Sequence, residues 1–314
     1  MKTLSHIFFI AASITCVGAG EPAKWRVEVT VLDEVNQPVP SAQVWVAYGI
    51  PTGTMESNSW DRIGGVSSTN GTFSAEHANT GSYSLGIHAQ KSGFYPVDLV
   101  KDLPLPGTEE AWDLKVAVTM AKVGNPIPMF VKRQESKIQK EDQPVAFDLT
   151  AGDWVAPFGA GKHPDLFFKA SRKVSSESNY EAELQINFPN PGDGIAVMPP
   201  REQVNNEFIV VRTAPEQGYE AQRKWNFTAA TGPEVVPGYF LRIRTQLDEN
   251  GRVKSALYAK VLGDINFYVG TKAPRAGLAF TYYLNPVVNS RNLEFDPKRN
   301  LLQNLRGAEK VDAP

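Results

Sequence analysis

Cysteine is almost absent from this chain, and so are several residues on which common chemistries depend. Cys16 is the only cysteine in 314 residues, and it lies in an N-terminal segment expected to be removed. The mature protein is therefore expected to form no disulfide and to hold no thiol nucleophile. Beyond that segment only His77, His88 and His163 remain, and none stands in HExxH or another close metal spacing. No metal or cofactor site is expected. A G-x-S-x-G nucleophile turn is missing. Gly159-Ala160-Gly161-Lys162 lacks both the spacing and the strand–helix setting of a phosphate loop. Charge of one sign is missing too, with 32 Lys and Arg interspersed among 34 Asp and Glu. Without a basic block a nucleic-acid partner is disfavoured. After the N-terminus no run approaches the roughly 20 apolar residues of a membrane-spanning helix, so no transmembrane span is expected.

The N-terminus itself reads as an export signal. Lys2 precedes an apolar run from Ile7 to Val17, and Val17-Gly18-Ala19 supplies small residues for cleavage after Ala19. We expect a signal peptide over residues 1–19 and an exported protein, whether periplasmic, cell-surface or extracellular. A retained anchor or a buried helix is the bland alternative. Lipidation at Cys16 is a second one, which Ser13 and Thr15 fit poorly. Loss of Lys2 leaves 31 basic against 34 acidic side chains, a net charge of −3. Two glycosylation-type tripeptides, Asn70-Gly71-Thr72 and Asn226-Phe227-Thr228, are common by chance and receive no role.

What is plentiful is turn-forming residues, 25 Gly and 23 Pro, between short alternating segments. Trp25, Val27, Val29 and Val31 share one face of a strand, and Val44 and Val46 share one face of the next. A long polar loop with Pro51, Gly53 and Ser57 to Ser59 is expected to hold Trp60. Asn70-Gly71 marks a tight turn into a strand. Strands follow at Gly81 to Ile87 and Asp113 to Ala121. Helical periodicity is lacking, which indicates a small β-sandwich over residues 21–121.

The order of motifs in this stretch resembles the carboxypeptidase regulatory-like domain, a transthyretin-like (prealbumin) sandwich. The resemblance is carried by Pro38-Val39-Pro40-Ser41-Ala42-Gln43-Val44, Thr69-Asn70-Gly71-Thr72-Phe73, Gly81-Ser82-Tyr83-Ser84-Leu85 and Gly93-Phe94-Tyr95. Ser41 stands where the family has Gly, and Phe94 separates Gly93 from Tyr95. The resemblance covers about 95 residues and implies a non-catalytic accessory module with a carbohydrate-binding-like fold.

Residues 122–128, with Gly124, Pro126 and Pro128, read as a linker, and 134–143 as an exposed charged loop or a short helix. From Pro144 strands are expected at 145–149, 164–174, 180–188, 207–213, 218–227, 265–269 and 278–284. The clearest hairpin runs from Tyr239 to Val261 around Asp248-Glu249-Asn250-Gly251. This makes residues 129–300 a larger, jelly-roll-like β-sandwich, with 301–314 a polar, frayed tail. Gly152-Asp153-Trp154-Val155-Ala156-Pro157, Lys260-Val261-Leu262-Gly263-Asp264, Tyr282-Tyr283-Leu284-Asn285-Pro286 and Arg291-Asn292-Leu293-Glu294-Phe295-Asp296-Pro297 resemble segments of uncharacterised exported proteins of Verrucomicrobia and Planctomycetes. That resemblance implies no activity.

The expected fold class is thus all-β in two modules. Two residue sets remain as candidates for function. Trp45 is out of phase with Val44 and Val46, so it should face away from their side, and Trp60 is expected in the long polar loop; both could stack on a sugar ring. Asp153, Trp154, His163 and Asp165 cluster in sequence, and carboxylates there suit glycoside hydrolysis or calcium ligation. The commoner role for such aspartates is capping turns, and for such aromatics, filling a core. Taken together, the sequence reads as a non-catalytic binding or structural protein whose partner is a glycan or another cell-envelope component. A glycoside hydrolase or lyase is the first rival reading and a purely structural assembly protein the second. The oligomeric state is open.

Overall fold

The computed structural model describes residues 24–51, 58–78, 84–102, 112–199, 210–231 and 236–314. The expected signal peptide, its cleavage site at Ala19, and Tyr83 lie outside them. The described residues are almost all strand or turn, and their one helical element is a 3-10 turn, η1 (Gly307–Glu309). The chain divides into two units, the first running to Ser92 and resuming over Pro96–Met120, the second made of Gly93–Tyr95 and Ala121–Pro314.

In the first unit β1 (Lys24–Asp33), β2 (Gln43–Pro51), β3 (Asn58–Val66), β4 (Thr72–Ala78), β5 (Ser84–Gln90), β6 (Val97–Asp102) and β7 (Trp112–Met120) form two sheets. One has the order β4-β1-β7, the other β3-β2-β5-β6. β1 and β7 run parallel, and all other pairs are antiparallel. The alternation read in β1 is realised: Trp25, Val27, Val29 and Val31 are fully buried, as are Val44, Val46 and Tyr48 of β2. The sheets meet through such side chains. The Tyr48 ring stacks 4.6 Å from that of His77 on β4, and its hydroxyl donates to the Ala75 carbonyl at 3.4 Å. Two expectations change here. Trp60 lies in β3 and not in a loop. Gly71 takes the left-handed conformation, φ 75°, but the Asn70-Gly71 turn joins strands of different sheets and so is not a hairpin.

The second unit holds β8 (Ile127–Lys137), β9 (Val145–Asp148), β10 (Asp153–Trp154), β11 (Leu166–Ser176), β12 (Asn179–Asn187), β13 (Gly194–Val197), β14 (Gln222–Thr228), β15 (Gly238–Leu247), β16 (Val253–Tyr268), β17 (Gly277–Asn285) and β18 (Phe295–Asn300). They build a five-stranded sheet, β10-β9-β11-β12-β14, and a six-stranded sheet, β13-β15-β16-β17-β8-β18. Phe147, Phe168, Leu184 and Trp225 meet Tyr239, Leu241, Val261 and Phe280 in the main core. The six-stranded sheet is also covered on its other face, where Met129, Phe240, Tyr258, Tyr283 and Phe295 are buried. Lys260 is fully buried on that face, with its ammonium 3.2 Å from the Val211 carbonyl and 4.5 Å from the centroid of the Tyr283 ring.

The hairpin at Tyr239–Val261 forms as read, with Asp248 Oδ1 accepting from the N–H groups of Asn250 and Arg252. Elsewhere the second unit departs from expectation. β8 starts at Ile127, inside the segment read as linker, and continues through residues read as loop or helix. Its prolines sit at 126 and 128, before and just inside the strand start, where a missing N–H is tolerated. Residues 210–213 form no strand, although Val210 and Val211 are buried. The polar tail packs down: Lys132 Nζ lies 3.2 Å from Glu309, Tyr283 donates to the Ala313 carbonyl, and Val311 packs against the core.

Candidate functional site

Because Val44, Val46 and Tyr48 point inward, Gln43, Trp45, Ala47 and Gly49 point to the outer face of the four-stranded sheet. Directly opposed residues of antiparallel strands share a face. Trp45 opposes Gly64 and His88, Ala47 opposes Arg62 and Gly86, and Gly49 opposes Trp60. β6 adds Asp98 and Val100 to the same face. The structure therefore brings Trp45 and Trp60 onto one surface, from adjacent strands.

Glycine lets both indoles lie down on that surface. A methyl carbon on Gly64 would stand 2.7 Å from Trp45 Cδ1, and one on Gly49 would stand 3.3 Å from Trp60 Cη2. The Trp60 ring extends on to Gly86, 3.7 Å from where a methyl would be. Glycine within a strand often marks such an approach. Aromatic side chains laid over glycine also support a sheet. Both indoles keep surface open to solvent, with Trp60 41% exposed and Trp45 half-buried. The indoles border an open cleft of about 720 Å³ floored by Ala47, Gly64 and Gly86. Four residues of strand separate Trp45 from Gly49, roughly 13 Å at 3.3 Å per residue. The two indoles are thus anchored at separate positions along the face, with the Trp60 ring reaching back from Gly49 as far as Gly86.

The cleft has a polar rim. His88 Nδ1 lies 2.6 Å from Asp98 Oδ1, and the His88 ring is tilted 49° to Trp45 at 5.2 Å. Arg62 is exposed between the two platforms, and no carboxylate pairs with it among the described residues. Sequence reasoning passed over Arg62, His88, Asp98 and the three glycines. Their one available signal was position: once β2 is paired with β3 and with β5, 62, 64, 86 and 88 fall beside Trp45 and Ala47.

Asp153, Trp154, His163 and Asp165 fall in the second unit and do different work. Trp154 is only 2% exposed, set edge-on to Phe147 at 5.3 Å and Phe168 at 5.7 Å, with its N–H donating to Ser136 Oγ. As a ligand contact it is corrected to a core residue. Asp153 accepts from the backbone N–H groups of Trp154 and Ala160. Asp165 is fully buried; its oxygens accept from the Leu149 N–H and, in bidentate fashion, from Arg244 at 2.6 and 3.1 Å. Burial pushes its carboxyl up, against the pull of that guanidinium. It too is corrected from a candidate ligand to a structural group. His163 is exposed, and its backbone N–H donates to Asp148.

Asp148 organises this turn. Its carboxylate accepts from the Thr150 hydroxyl and from the N–H groups of Thr150, Ala151, Lys162 and His163. Burial raises its pKa, but the Thr150 hydroxyl and the Lys162, His163 and Ala151 N–H groups outweigh burial and hold it at about 2. Arg244, in the left-handed region at φ 54°, reaches Asp165, Thr150 and Asp148 from a bulge in β15. The aspartates thus tie loops to sheets, and their oxygens are taken.

No protein-family model matches the chain, and no curated protein matches it. Among solved structures it is similar to 3-chlorocatechol 1,2-dioxygenase from Rhodococcus opacus 1CP, at 10% identity and TM-score 0.26, over 38% of this chain and 71% of that one. Chlorocatechol 1,2-dioxygenase from Pseudomonas putida gives 13% identity and TM-score 0.23, over 38% and 69%. A protein of unknown function from Bacteroides fragilis NCTC 9343 gives 10% identity and TM-score 0.21, over 86% and 99%. Likenesses this low carry no argument about fold or activity.

Proposed function

We propose that this chain is an exported, non-catalytic binding protein and that the outer face of the four-stranded sheet holds carbohydrate. The observation that carries the reading is the pair of indoles laid over glycine on one open face. A pyranose presents a flat apolar face of C–H groups and an equatorial rim of hydroxyls. A solvent-exposed indole matches the first, and His88, Asp98 and Arg62 supply donors and acceptors for the second. An open cleft with a polar rim is also a usual form of a small-molecule site. The competing reading as a glycoside hydrolase or lyase needs free carboxylates in the second unit. Asp153 and Asp165 have their oxygens committed to backbone N–H groups and Arg244.

A glycan array followed by calorimetric titration of the purified protein tests this. Binding of at least one glycan is expected, weakened about tenfold or more by Trp45→Ala and by Trp60→Ala, as for aromatic anchors at other interfaces. Absence of any glycan ligand, or affinity indifferent to both substitutions, overturns it.

A further inference from the structure

The charges on the cleft narrow the class of glycan. By register the ionisable residues of this face are Arg62 on β3, His88 on β5, and Asp98 and Asp102 on β6, the edge strand opposite β3. His88 and Asp98 are occupied with each other at 2.6 Å. Arg62 is exposed, lies in β3 between the two indole platforms, and has no carboxylate partner among the described residues. Its strand is one edge of the sheet and Asp98's strand is the other, three strand spacings away, about 14 Å. That exceeds the screening length of about 8 Å at physiological ionic strength, so the β6 aspartates do little to offset the guanidinium at the β3 edge. A guanidinium presents a planar fork of donors matched to a carboxylate.

The shape of the cleft restricts the ligand further. The described cleft is floored by Ala47, Gly64 and Gly86 and runs along the strands from Trp45 towards Trp60. The backbone positions that carry the two platforms, Trp45 and the Gly49 opposite Trp60, lie about 13 Å apart along the strand, more than the width of one sugar ring. Each therefore takes a different residue of an extended chain, with Arg62 alongside the residues between them. We infer that the ligand is an acidic polysaccharide, a chain containing uronic acid gripped along its length, with Trp45 and Trp60 stacking on two sugars and Arg62 pairing with a carboxylate between them. This rests on the carbohydrate reading above and adds charge and length to it.

Esterification gives the test, because it removes the charge and leaves sugar and linkage unchanged. Oligosaccharides of polygalacturonate, alginate and hyaluronan, each beside its methyl ester, are titrated against the full mature protein, Arg62→Gln and Trp60→Ala. Thermal unfolding of each variant verifies its fold. The expected result is that at least one acid binds about tenfold or more tighter than its ester, the size of one charge-assisted hydrogen-bonded pair. The preference should vanish in Arg62→Gln and shrink as salt rises, and Trp60→Ala should weaken acid and ester alike. Short fragments of one or two sugars should bind far more weakly than longer ones. Equal affinity for acid and ester, with Trp60→Ala still damaging, overturns the acidic ligand and leaves the carbohydrate reading standing. Failure of every acid and every neutral glycan to bind overturns both.

Discussion

Trp154 and Trp60, one in each unit, are used in opposite ways. Trp154 stands edge-on among Phe147 and Phe168 with 2% of its surface exposed, while Trp60 lies over Gly49 and Gly86 with 41% exposed. What decides the role is the residue opposed across the strands. Where phenylalanine surrounds the indole, it interlocks and becomes core. Where glycine opposes it, the ring lies flat and keeps one face to solvent. That difference separates stability from binding. Trp154→Ala should cost about 3–5 kcal/mol, the range for emptying a large aromatic from a packed core. Trp60→Ala should cost less than about 1 kcal/mol, as for an exposed position. Urea denaturation monitored by circular dichroism measures both. Comparable losses at the two sites would break the comparison.

The acidic residues differ in the same manner. On the open face Asp98 is 78% exposed and pairs with His88, whereas Asp148 is buried under five hydrogen bonds from Thr150, Ala151, Lys162 and His163. The Asp148 pKa falls from an ordinary 3.8 to about 2 on folding. A carboxylate held down in the folded state contributes stability that is fully present above its unfolded pKa of about 4, and that contribution disappears as pH falls towards 2. The difference amounts to about 2 kcal/mol. Asp148→Asn should therefore be destabilised by about that much at neutral pH, and the gap to the parent protein should close between about pH 4 and pH 2. A gap still at its neutral-pH size at about pH 2 would show that the site acts through geometry and not through charge.

These contrasts explain which features were legible in the sequence. Alternation in Trp25 to Val31 and in Val44 to Tyr48 marks strands with one wet face, so β1 and β2 are readable from pattern alone, and with them the outward placement of Trp45. The Asp248–Gly251 turn is readable because its residues make the turn themselves. β8 is hidden because it lies in a sheet covered on both faces, where Met129, Val131 and Gln134 are all buried and no clean alternation survives. The tail is hidden because its docking depends on distant partners, Lys132 and Tyr283. Arg62 and the glycines of the cleft acquire meaning only from register: a glycine reads as a breaker until Trp45 is known to lie across it.

Register also supplies the smallest and sharpest test. Gly64 and Gly86 are both strand glycines beneath the cleft, but a side chain would meet different surroundings at each. At Gly86 a methyl would stand 3.5 Å from the Ala47 methyl and 3.7 Å from the Trp60 ring, ordinary contact distances. Gly86→Ala should leave glycan affinity within about twofold and raise stability by about 0.4–1 kcal/mol, because the unfolded chain loses freedom. At Gly64 a methyl would stand 2.7 and 2.8 Å from Trp45 Cδ1 and Nε1, so the indole must lift from the sheet. Gly64→Ala should then weaken binding severalfold, and the same substitution made in a Trp45→Ala background should have no further effect, because the ring it displaces is gone. If Gly86→Ala harms binding as much as Gly64→Ala, or if the Gly64 effect survives loss of Trp45, the platforms are not what holds the ligand.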